Sequence, residues 1–68
     1  MITKKDIAKI FRAARESAGL TQVEVAKKAK VNANYYARLE RADAMPKIDY
    51  IDRLAEALGI TITIPFKK

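Results

Sequence analysis

Residues 19–41 read GLTQVEVAKKAKVNANYYARLER, and this stretch decides the fold. Thr21 and Glu24 have the spacing of a capping box, in which the threonine hydroxyl accepts a free backbone N–H and the glutamate reaches back to the cap. The box opens a short helix with Val25, Ala26 and Ala29 on its inner face. Val31-Asn32 interrupts it. Asn32 is a good cap for the next helix, Ala33 to about Arg41, with Tyr36 and Leu39 facing inward. Two short helices thus follow one another with only a few residues between them.

Working outward, Thr3-Lys4-Lys5-Asp6 is a second capping pattern, its carboxylate suited to the positive end of a helix. Ile7, Ile10, Phe11, Ala14 and Ala18 recur at helical spacing, and Gly19 can close that helix in a left-handed conformation. Downstream, Ala42 to Pro46 reads as a loop. A fourth helix is expected from about Ile48 to Leu58, with the stripe Ile48, Ile51, Leu54, Ala55 and Leu58 and a stop at Gly59. The period then changes. Ile60-Thr61-Ile62-Thr63-Ile64 alternates strictly between apolar and polar β-branched residues, the pattern of a strand. The expected core is Ile7, Ile10, Phe11, Ala14, Leu20, Val25, Ala26, Val31, Tyr36, Leu39, Ile51, Leu54, Ala55 and Leu58.

With 68 residues, the chain has room for one small domain spanning residues 1–68. A domain of this size buries only about 60% of the surface its unfolded chain exposes. It has no Cys and no His, and its one serine, Ser17, lies in an expected helix. Disulfides, thiolate metal sites and the usual general base are therefore missing, so neither an enzyme nor a metal or other cofactor is expected. No apolar run approaches the ~20 residues that cross a bilayer, and the N-terminus lacks a signal-peptide core. A soluble cytoplasmic protein with no membrane partner is the expectation. The net charge of +6 is uneven. Residues 1–20 and 21–41 each hold five basic and two acidic side chains, residues 42–66 are net acidic, and Lys67-Lys68 closes the chain. That asymmetry suits a nucleic-acid footprint at one end of the molecule, although scattered surface lysines give the same total.

Two short consecutive helices, the second capped and flanked by basic residues, match a helix-turn-helix. Such a unit suits double-stranded DNA for steric reasons: the first helix braces across phosphates and the second presents its N-terminal half to the major groove. Gly19-Leu20-Thr21-Gln22, Val25-Ala26, Val31-Asn32, Tyr36 and Leu39-Glu40-Arg41, followed by Pro46 and Leu54-Ala55 with Leu58-Gly59-Ile60, resemble the phage-repressor/Cro (Xre-type) family across roughly residues 7–60. The resemblance implies a compact, mainly α, four-helix lambda-repressor-like domain that binds operator DNA, usually as a dimer.

Residue by residue, the resemblance places Gln22 where a glutamine bridges phosphate and recognition helix, and Asn32 at the cap that also touches the backbone. Ala33 and Asn34 fall where base-reading side chains sit, and an asparagine amide can pair bidentately with adenine. Arg38 and Arg41 follow Asn34 at helical spacing, Arg38 toward a guanine edge or phosphate and Arg41 toward phosphate. Tyr35, at the edge of that face, is either a DNA contact or a solvent-edge or dimer residue. Lys27, Lys28 and Lys30 are candidate phosphate contacts. Arg15 and Glu40 match a family ion pair that orients the recognition helix. A polar solvent-exposed helix face would carry the same residue types.

The chain departs from the family in places. Lys30 and Ala42 stand where the family usually has glycine, and a slightly shifted turn is expected at both rather than a left-handed residue. Asp43-Ala44-Met45 replaces a basic loop, leaving only Lys47, and Val23 replaces a charged residue. A strand replaces the usual fifth helix. Because no second strand exists to pair it, residues 60–66 are expected to pair across a two-fold homodimer. Ile60, Ile62, Ile64 and Phe66 would lie on one face, Tyr50 would add apolar contact, and Pro65 would end the pairing. The expected function is a sequence-specific repressor on a palindromic operator. The alternative is an antitoxin that holds a partner toxin, since the short C-terminal strand resembles the antitoxins of kinase-type pairs.

Overall fold

The computed structural model describes residues 3–62. Four helices follow in order: α1 (Lys4–Ala18), α2 (Gln22–Ala29), α3 (Ala33–Glu40) and α4 (Ile48–Leu58). Each start has a local cause. Thr3 with Asp6 and Thr21 with Glu24 both close reciprocal capping boxes. The Asn32 side-chain oxygen accepts the Tyr35 backbone N–H at 3.0 Å. Only α4 begins without a side-chain cap. None of these helices is long and apolar enough to cross a membrane.

The helix ends share one device. Leu20, Val31, Asp43 and Ile60 each donate a backbone N–H five residues back, to Arg15, Ala26, Arg38 and Ala55. The residue before each donor is left-handed: Gly19, Lys30, Ala42 and Gly59, with φ of 70°, 60°, 62° and 69°. This is the Schellman closure, which satisfies the last carbonyls of a helix only when that residue is left-handed. The expectation of a shifted turn at Lys30 and Ala42 is therefore corrected. Both residues accept the conformation glycine would favour, because the alternative leaves helix carbonyls unpaired.

Helix α4 packs mainly on α2 and also on α1, and α3 packs on both α1 and α2. Ile7, Phe11, Val25, Ala26, Ala29, Tyr36, Leu39, Ile51 and Leu54 form the buried centre, with Leu20, Val31, Leu58, Ile60 and Ile62 packed against it. Ile10 is a second correction, since it is 38% exposed. On α1 the buried side chains are Ile7, Ala8 and Phe11. At about 100° per residue, Ile10 lies at the edge of that stripe and Arg15 lies near its middle. Ala14 is only half-buried and Ala18 is exposed, whereas Ala8 is buried.

Among the described residues there is no strand. Ile60, Thr61 and Ile62 carry no regular secondary structure, yet the two isoleucines are half-buried and Thr61 is exposed. Thr63, Ile64, Pro65 and Phe66, the rest of the expected strand, lie outside the described residues.

Candidate nucleic-acid interface

The expected recognition element is α3, eight residues long. Tyr36 and Leu39 are fully buried and anchor its inner face. Asn34 and Arg38 sit two residues to either side of Tyr36, about 200° around the helix, and both are exposed. The helix therefore presents an amide and a guanidinium directly away from its anchor. Ala33, partly buried at the first turn, packs on the core and leaves only a small methyl surface there. Asn32 spends its side-chain oxygen on the cap, so its NH₂ remains the group available to a phosphate.

Beneath this face is a buried polar cluster. Arg15 Nε donates to Glu40 Oε2 at 2.7 Å and Arg15 Nη2 to Glu40 Oε1 at 3.0 Å, a bidentate pair. Gln22 Nε2 donates to the same Oε1 at 2.9 Å, and Arg15 Nη1 donates to the Leu20 carbonyl at 2.9 Å. The Glu40 side chain is 2% exposed and that of Arg15 is 15% exposed. This is an interior ion pair. Burial raises the Glu40 carboxyl, but the Arg15 guanidinium, the Tyr36 hydroxyl and the Gln22 amide more than offset it, so the group sits below its ordinary value. The Tyr36 hydroxyl is enclosed beside this pair without a hydrogen bond of normal geometry. Its burial, then the neighbouring carboxylate, hold its ionisation well above the ordinary range.

The Gln22 amide therefore links the start of α2 to the end of α3. One of its two N–H groups is engaged by Glu40, and the second is the donor left for a phosphate. Such a contact would lie at the positive end of α2, where backbone N–H groups favour an anion.

The basic side chains do not form one patch. Arg38 Nη2 lies 3.4 Å from the Asp43 carbonyl oxygen, and Arg41 Nε lies 3.3 Å from the Asp43 carboxylate. Both proposed backbone-facing arginines thus lean on Asp43, which the sequence marks only as a missing positive charge. Lys27 is exposed on α2. Lys28 and Lys30 line a cleft of about 520 Å³ with Ala29, Arg53, Glu56 and Ala57, between the end of α2 and α4.

Tyr35 and Tyr50 meet. Their ring centroids are 5.4 Å apart at an interplanar angle of 62°, an edge-to-face contact between α3 and α4. Arg53 lies over the Tyr50 ring, its guanidinium carbon 5.3 Å from the centroid. Arg53 Nη1 also approaches the Lys30 carbonyl at 3.5 Å. Tyr50, expected at a dimer interface, thus has its ring engaged within its own chain. Burial, then the neighbouring Tyr50 and Asp49, raise the ionisation of Tyr35. Sequence reasoning missed Arg53, because nothing local signals a contact with a turn 23 positions away.

Residues 11–64 match the protein-family model described as helix-turn-helix. No curated protein and no solved structure matches the chain.

Proposed function

The chain belongs to the helix-turn-helix family of the phage-repressor/Cro type and is a DNA-binding regulator, and on that premise we propose that it is a repressor that binds a palindromic operator as a homodimer. The observation that carries this reading is the outward pairing of Asn34 and Arg38 on a helix whose opposite side is locked by Tyr36, Leu39 and the Arg15–Glu40 pair. Asn34 supplies an amide for an adenine edge and Arg38 a fork for guanine or phosphate. Gln22, Asn32 and Arg41 hold the backbone and set the register, which carries no sequence information by itself. Ala33 offers a methyl to a thymine methyl. Lys27, Lys28 and Lys30 add a longer-range attraction.

Size supports two copies on one site. The described residues measure 28 × 22 × 20 Å, while successive major-groove faces on one side of DNA are about 34–36 Å apart. One copy therefore reads one half-site. The alternating burial of Ile60, Thr61 and Ile62 is consistent with the alternation expected of a pairing strand.

Selection of bound duplexes from a random pool tests the reading directly. The expected outcome is an inverted repeat with half-site centres about one helical turn apart. Asn34→Ala should then lose the preference at one base pair, worth about 1–3 kcal/mol. If Asn34→Ala and Arg38→Ala both leave specific binding intact in a gel-shift titration, the base-reading assignment is wrong.

A further inference from the structure

We infer that Tyr50 and Arg53 of α4 are positioning residues for base discrimination: with Tyr35 they form a stack that sets the roll of the recognition helix about its own axis. This rests on α3 being the base-reading helix and deepens that reading.

The need for such a device follows from the geometry of α3. The helix has eight residues and is bounded by a left-handed residue in the turn before it and another just after it. Its inner anchors, Tyr36, Leu39 and the Arg15-paired Glu40, all lie within about 100° of arc on one side. Contact confined to one side holds a short helix down, and a brace outside that arc adds resistance to rolling. Rolling swings Asn34 and Arg38 most, because they project from the far side. A few degrees there displaces an amide relative to a base edge, whose hydrogen bonds tolerate little misalignment.

The second contact lies about 100° from the first. Tyr35 follows Asn34 directly and sits between the core side and the exposed side of α3, half-buried. Its ring meets Tyr50 edge to face. Tyr50 is backed by Arg53 on its face, and Arg53 also reaches the Lys30 carbonyl at the turn leading into α3. One guanidinium therefore ties together the turn before α3 and the ring that braces α3. Tyr35 packs against the buried centre, but the Tyr50 and Arg53 side chains are not part of it. Their removal should leave the fold in place while loosening the angle at which α3 is offered.

Duplexes selected by the wild-type chain provide the probe, with a scrambled duplex of equal length as the reference. The readout is the ratio of the two affinities, together with the salt dependence of each. In Tyr50→Leu and in Arg53→Met the ratio should fall by about 2- to 30-fold. In Tyr50→Leu, affinity for the scrambled duplex and its salt slope should stay at wild-type values, since neither a charge nor a phosphate contact is lost. Tyr50→Phe, which keeps the ring, should restore the ratio. Circular dichroism of each free variant confirms that it is folded. Equal losses on both duplexes, or a ratio unchanged in both folded variants, would overturn the positioning role while leaving DNA reading by α3 intact. A wild-type chain that selects no consensus removes the base-reading premise and the inference with it.

Discussion

Lys30 and Ala42 hold φ of 60° and 62° on either side of the recognition helix. A left-handed conformation costs an L-residue roughly 1–2 kcal/mol, and glycine gives part of that back through greater freedom in the unfolded chain. Lys30→Gly and Ala42→Gly should each raise stability by about 0.5–1 kcal/mol. That corresponds to roughly 2–8 °C in Tm for a domain of this size, measurable by thermal unfolding. A fall in Tm would show the turn to be unstrained. Glu40 acts in the opposite sense. Its carboxyl is below its ordinary value of 4.5 in the folded chain, so the unfolded chain takes up that proton first as pH falls. The stabilisation is complete above about pH 5 and is lost as pH falls through the folded value. Glu40→Gln should flatten the acid limb of the stability curve. Truncation to Ala leaves Arg15 buried and alone, at a cost of about 3–5 kcal/mol. A chain of this length holds only on the order of 3–10 kcal/mol, so that variant should be largely unfolded. Asp43 is also of note. Its backbone carbonyl accepts from Arg38 and its carboxylate from Arg41, two side chains proposed to approach DNA. Asp43→Asn should tighten binding to all duplexes alike. A change confined to the selected duplex would instead mean that Asp43 contributes to base reading.

At the scale of elements, register decides which apolar residues matter. Leu54 of α4 is fully buried and Ile10 of α1 is 38% exposed, although both stand on helical apolar stripes. Leu54→Ala should cost about 2–5 kcal/mol through lost burial and a residual cavity. Ile10→Ala should cost under about 1 kcal/mol, because little packed surface is lost. Chemical denaturation of the two variants makes the comparison, and equal effects would mean the α1 stripe is rotated from its observed position. The same rotation explains Arg15. It follows Phe11 by four positions and Ile7 by eight, so its guanidinium is carried inward toward Glu40. The helix boundaries were legible because each cap is local, and α4 reads Ile48–Leu58 in the structure as in the sequence. The stripe on α1 was less legible. Apolar spacing alone permits several neighbouring centres, and contact with α3 and α4 selects one.

For the whole molecule, the operator read depends on the number of copies that act together. One copy carries one helix-turn-helix, and its described residues measure 28 × 22 × 20 Å. If pairing runs through residues 60–66, a chain ending at Gly59 should sediment as a monomer at tens of micromolar while the full chain sediments as a dimer. The truncated chain should also lose its preference for inverted repeats over single half-sites. Two monomers in that experiment would rule out the strand-paired dimer.

The sequence by itself determined the four helices, their order and the site class. Capping boxes, stop residues and apolar periodicity act over a few positions, and the helix-turn-helix spacing is itself local. It also placed Asn34 and Arg38 on the outer face, since helical geometry alone sets those angles. Tertiary structure decided what each polar side chain meets. It buried the Arg15–Glu40 pair that exposure would have made nearly neutral, drew Gln22 onto the same carboxylate, turned Arg38 and Arg41 toward Asp43, and closed Tyr35 against Tyr50 beneath Arg53. Helix-end hydrogen bonds imposed left-handed backbone on Lys30 and Ala42. These outcomes depend on distances between residues far apart in the chain, or on hydrogen bonds strong enough to override a residue's own preference, and neither is written in local sequence.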